Sequence, residues 1–345
     1  MSRCYAGADD SPQPACFRDK RATVAAMRRI SILLLLSLFL FSSLGCQSSQ
    51  MAMARWYTEP GPPDAPEGVR AIRDIEFAVS PQGPLLLDLY LPEEPPGEAL
   101  PVLLYVFGGG WMLGNKHQVT RVDGQSMATQ GYAVVSSQYR LSSDAIFPAQ
   151  IEDVKAAIRW IRVNADAYGL DGDRIGLWGP SAGGHLVALA GTSGDAVSLD
   201  YLVSAYPDVS TRVQAVVDFY GPTDLSQADA HRLDGGTEYE AEGSFAQRFV
   251  GGSLAENAEL VQLANPINYV DAEDPPFLIV HGDADPTVPF HQSELLAAAL
   301  EEAGVDVNLH RVEGGGHGRG GDFGSETIEN LVLEFLDSHL KPSRR

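Results

Sequence analysis

The sequence predicts an α/β domain on a mostly parallel, eight-stranded sheet with helices on both faces. Two observations carry this reading. From Val69 to Leu340, apolar runs of strand length alternate with longer segments whose apolar residues recur at helical spacing. The alternation persists without an internal repeat, the pattern of strand–helix–strand units sharing one sheet.

The elements follow in order. Ile72–Val79 and Leu85–Leu91 flank the turn Ser80-Pro81-Gln82-Gly83-Pro84, so these two strands are expected to pair antiparallel. Val102–Phe107, Ala133–Ser137, Arg174–Trp178, Val213–Tyr220, Phe277–His281 and Asn308–Val312 supply six more. Helices are expected over Arg121–Gln130, Ile151–Tyr168, Ala182–Thr192, Pro289–Ala303 and Ser325–Leu340. The clearest carries Ile151, Val154, Ile158 and Ile161 on one face and ends at Tyr168-Gly169. Residues 222–265 break the rhythm with Gly235-Gly236, an acidic cluster at 238–242 and Gly251-Gly252. An insertion of that length reads as a short lid or binding loop, with a solvated surface loop as the alternative.

Three motifs at strand ends carry chemistry. Gly179-Pro180-Ser181-Ala182-Gly183 joins a predicted strand to a predicted helix, the context a nucleophile elbow requires. Phe107-Gly108-Gly109-Gly110-Trp111 follows another strand, and consecutive glycines let backbone N–H groups converge on a small anion. The amides of Gly109, Gly110 and Ala182 are the candidate oxyanion donors. No Gly-Lys-Ser/Thr follows, so a phosphate loop is disfavoured. Trp111 and Phe107 are candidate pocket-lining residues, with Trp111 as a cap on the core the alternative. Near the C-terminus, Asp283 and Asp285 follow one strand and His317 the next, which completes the order Ser…Asp…His. His317 would take the Ser181 proton and a carboxylate would orient it. Asp285 is the candidate acid and Asp283 the alternative, while His185 reads as structural.

With these residues in view, the chain resembles the α/β-hydrolase superfamily, and within it the BD-FAE-like (feruloyl/acetyl-esterase-like) serine esterases near the hormone-sensitive-lipase-like group. The resemblance covers about Val69 to Leu340. It rests on 108–111, Tyr139-Arg140-Leu141-Ser142, 147–154, Gly179–Leu186, Tyr220-Gly221-Pro222-Thr223-Asp224 and His281–Pro289. It implies an α/β-hydrolase fold, nucleophile Ser181, acid Asp285, base His317, and oxyanion donors on the 108–110 loop and Ala182. One position departs: the family usually has His before the three glycines, and this chain has Phe107. The implied activity is hydrolysis of short-chain or aromatic acyl esters through an acyl-enzyme, including acetyl or feruloyl esters of polysaccharides, without metal or cofactor. The rivals are an exo-peptidase of prolyl-oligopeptidase type and a catalytically silent surface-binding lipoprotein.

Charge and the N-terminus bear on location. With 24 Lys+Arg against 46 Asp+Glu, the formal charge of −22 argues against a nucleic-acid partner, which needs clustered cations. Met27-Arg28-Arg29, the apolar run Ile30–Leu44 and Gly45-Cys46 describe a signal peptide over 27–45. The run is shorter than the ~20 residues of a spanning helix. Its Ser43-Leu44-Gly45-Cys46 ending resembles a lipoprotein signal, making Cys46 the expected lipidation site; an ordinary secretory signal is the alternative. Met27 is also a candidate start, in which case 1–26 is an upstream mis-start. Residues 46–68 read as a tether and 69–341 as the catalytic domain, giving a secreted or cell-envelope protein with a membrane contact through the lipid.

Overall fold

A computed structural model describes residues 64–341, except 96, 123, 197, 198 and 200–205. The expected signal peptide, the lipidation site Cys46 and the tether up to residue 63 lie outside the described residues. Eight strands form one sheet: β1 (Val69–Ser80), β2 (Gly83–Pro92), β3 (Leu100–Val106), β4 (Ala133–Ser137), β5 (Leu170–Pro180), β6 (Ala215–Phe219), β7 (Phe277–Gly282) and β8 (Val307–Val312). Their order is β1-β2-β4-β3-β5-β6-β7-β8. β1 pairs with β2, and β2 with β4, antiparallel; every later pairing is parallel. The central strands are buried on both faces, which is why they read as unbroken apolar runs.

Helix α1 (Ala149–Tyr168) closes on a left-handed Gly169, and its Ile151, Val154, Ile158 and Ile161 are all buried. Helix α2 (Ala182–Ser193) is buried along its whole length. Side-chain alternation along β5 and β6 sets the two faces. A side chain on Gly191 of α2 would meet Val216, whereas one on Gly176 would meet Leu336 and Leu340 of the last helix. Val216 pairs with Leu177, the neighbour of Gly176, so the two helices lie on opposite faces.

The expected helix over 121–130 is instead two 3₁₀ segments, Lys116–Val122 and Gly124–Gln130. Gly124 sits so close to Val119 that a side chain there would meet it at 2.9 Å. The Gly, Ser and Thr residues of this stretch also favour tight turns over an α-helix. Residues 222–265 hold three short helices, α3 (Ala228–His231), α4 (Phe245–Val250) and α5 (Ala258–Leu263). Tyr239, Ala246, Phe249 and Ala264 in this stretch are fully buried, which excludes a merely solvated loop. Helices α6 (His291–Ala303) and α7 (Glu326–Leu340) complete the domain.

Asp218 of β6 pairs in register with Gly179 of β5, beneath the turn that carries Ser181. Complete burial pushes its carboxyl up to about 7, against the lowering effect of the Gly221 N–H, which donates to Oδ1 at 2.9 Å. A folded-state pKa above the unfolded one means that the native state holds the extra proton between about pH 4 and 7. The residue therefore lowers stability progressively as pH rises through that window. Asp218→Asn keeps the acceptor oxygen and cannot ionise. Its melting temperature relative to wild type is expected to be several degrees higher at pH 8 than at pH 5; an equal difference at both pH values would contradict the buried-acid account.

Candidate active site

The site begins with backbone strain. Ser181, between β5 and α2, has φ 57° and ψ −125°, a conformation that non-glycine residues rarely adopt. Its N–H donates to the Phe219 carbonyl at 2.7 Å and its carbonyl accepts from His185 N–H at 3.0 Å, so both sides of the turn are tied down. The flanking glycines are there for space. A side chain on Gly179 would meet the Gly183 backbone at 2.5 Å, and one on Gly183 would strike the Val106 and Phe107 carbonyls.

Two loops at the ends of β7 and β8 complete a relay. His317 Nε2 lies 2.9 Å from Ser181 Oγ, and Nδ1 lies 2.7 Å from Asp285 Oδ2. The other oxygen, Asp285 Oδ1, accepts the N–H groups of Thr287 at 2.7 Å and Val288 at 3.0 Å. The Asp285 side chain is fully buried. Burial alone would raise its carboxyl, but the opposing pull of His317 and His281 holds it below the usual carboxylate range. Asp283 does not compete: it pairs with Arg311 at 2.9 Å and accepts Gly314 N–H at 2.8 Å.

The glycine loop lies alongside this relay. A side chain on Gly108 would meet the Pro180 carbonyl at 2.6 Å and Ser181 Cβ at 3.3 Å. The Gly109 carbonyl accepts from the Met112 and Leu113 N–H groups, which curls the loop around Gly110. Ala182 is the first residue of α2, where free N–H groups point out of the helix.

The two pocket-lining expectations are corrected. Trp111, with φ 55°, turns into the core, is fully buried, stacks on Phe249 at 4.2 Å and meets His185 edge-on at 5.2 Å. Phe107 is buried as well, stacked on Tyr139 at 4.1 Å, while Tyr139 Oη donates to the Phe107 carbonyl at 3.1 Å. At the position where the family usually has His, a stacked ring and that hydrogen bond therefore support the loop. His185 is structural: its Nε2 lies 2.7 Å from the Ala264 carbonyl, and burial pushes its pKa down to about 4.

Three neighbours were not foreseen. His281 places Nε2 3.3 Å from Asp285 Oδ2 and Nδ1 2.6 Å from Ser293 Oγ. Tyr220, at φ 45°, sets its ring 4.7 Å from that of His317. Phe245 of α4 rests against Gly110. Tyr220 and Phe245 reach across distant segments, so no local spacing announces them, whereas His281 stands only four residues before Asp285. Among the described residues, no group of three or more His, Cys, Asp or Glu side chains could hold a metal ion.

Sheet order, elbow and relay together define an α/β hydrolase. Residues 87–300 match the BD-FAE family, and the chain belongs to it; residues 258–344 also match the TAP-like protein family. The esterase LipQ of Mycobacterium tuberculosis is 38% identical over 222 residues, covering 64% of this chain and 50% of that protein. LipC of the same organism is 34% identical over 234 residues, covering 68% and 56%. The chain thus spans about half the length of these curated relatives. A truncated carbohydrate esterase from gut microbiota superposes with a TM-score of 0.70 at 33% identity, over 81% of this chain and 99% of that one. Esterase 2 of Thermogutta terrifontis superposes with 0.64 at 27% identity, over 81% and 98%.

The relay generates a ranking. Asp285→Asn is expected to lower p-nitrophenyl acetate turnover by about 10⁴-fold, because the orienting charge on His317 is lost. Asp283→Asn should stay within about tenfold of wild type. Steady-state kinetics on the two purified variants check this, and the reverse order would show that Asp285 is not the orienting acid.

Proposed function

We propose that the protein is a serine carboxylic-ester hydrolase acting on short-chain or aromatic acyl esters, including acetyl or feruloyl esters of polysaccharides. The observation that carries this reading is the unbroken contact from Ser181 Oγ through His317 to Asp285, at 2.9 and 2.7 Å. Ser181 Oγ attacks the ester carbonyl carbon as its proton passes to His317 Nε2. The carbonyl oxygen becomes an oxyanion, which the amides of Gly109, Gly110 and Ala182 receive. Collapse breaks the bond to the alcohol, and that oxygen takes the proton from Nε2. Water then repeats the sequence, with His317 accepting its proton, and frees the carboxylic acid from Ser181. Asp285 stays ionised throughout, consistent with its lowered pKa.

The likeness to a carbohydrate esterase supports a saccharide-borne ester, and the Thermogutta terrifontis esterase with propionate bound supports a short acyl group. The leader at 27–45 and Cys46 add an envelope location, with lipid at Cys46, to the same proposal. The experiment is Ser181→Ala assayed on p-nitrophenyl acetate, acetylated xylan and methyl ferulate. Loss of at least about 10⁴-fold, with an unchanged melting curve, is expected. Residual activity within tenfold of wild type would sink the assignment.

A further inference from the structure

We propose that Phe245 sets the acyl-length limit of this site, restricting it to short aliphatic acyl groups and disfavouring hydroxycinnamoyl ones. The inference rests on the esterase reading above and narrows it. In the tetrahedral intermediate, the acyl carbon carries four groups: Ser181 Oγ, the oxyanion, the alcohol oxygen and the acyl chain. The oxyanion faces the glycine loop, and the alcohol oxygen faces His317 Nε2, which must protonate it. The acyl chain takes the remaining direction, away from both His317 and the oxyanion.

Aromatic rings bound both sides. Around His317 stands Tyr220, itself packed on Phe323 at 5.6 Å. On the glycine-loop side stands Phe245. A side chain built on Gly110 would begin 3.0 Å from Phe245 Cβ and 3.3 Å from its Cγ. The phenyl ring thus occupies the space beside an oxyanion donor that any residue other than glycine would need. It is a fixed wall, since the ring of Tyr239 packs on it at 5.2 Å, nearly perpendicular, and Trp111 at 5.9 Å. Both of those neighbours are fully buried, whereas Phe245 is only half-buried. A long or planar acyl group extends past the glycine loop and meets that ring; an acetyl or propionyl group stops short of it.

The test compares kcat/KM for p-nitrophenyl acetate, butyrate, octanoate and ferulate in wild type, Phe245→Leu and Phe245→Ala. Wild type is expected to prefer acetate over octanoate. The octanoate-to-acetate ratio should rise at least tenfold in Phe245→Ala and by an intermediate factor in Phe245→Leu. The leucine variant retains most of the packing on Tyr239 and Trp111, so it carries the test if the alanine variant does not fold. Ratios within twofold of wild type in folded, active variants would overturn the role of Phe245, as would a wild type that cleaves octanoate or ferulate as fast as acetate. A wild type that hydrolyses none of these esters would instead remove the esterase reading, and this inference with it.

Discussion

The site depends on one unfavourable conformation, the left-handed backbone of Ser181. It survives because its surroundings over-determine it: β5 delivers the chain into the turn, α2 takes it away, and the Phe219 carbonyl of β6 holds the Ser181 N–H. Gly179 and Gly183 let the turn press against the carbonyls at the end of β3. That closeness brings Gly108 against Ser181 Cβ. Ser181 and the glycine loop are therefore held in one arrangement by the same packing.

The remaining parts come to the turn from the far half of the chain. β7 and β8 are parallel neighbours, so the loops at their ends emerge side by side and bring Asp285 to His317. Residues 222–265 contribute no member of the relay; they supply rings. Phe249 stacks on Trp111, Phe245 presses on Gly110, and Tyr239 backs Phe245. The insertion thus packs its rings against the glycine loop and Trp111.

Much of this was legible from residue order, for physical reasons. All eight strands lie within a few residues of their expected positions, and the central ones, buried on both faces, write continuous apolar runs. Ser181, Asp285 and His317 sit beside glycines at strand ends, where turns leave a mark in the sequence. Contacts made only by tertiary packing left no such mark. Trp111 and Phe107 looked like pocket residues because they flank the glycines, yet the first is turned inward by its backbone and the second is captured by Tyr139. Phe245 and Tyr220 matter through partners far away in the chain, at Gly110 and His317. The α-helix expected over 121–130 fails for a local reason, since glycine-bearing tight turns prevail there.

Whether Ser181 is a nucleophile activated by His317 and Asp285 is decided by treating the protein with a fluorophosphonate and locating the adduct by peptide mass spectrometry. One adduct per chain is expected, on the peptide bearing Ser181, formed rapidly in wild type and far more slowly in His317→Ala. No adduct, an adduct on another residue, or equal rates in the two proteins would contradict that role.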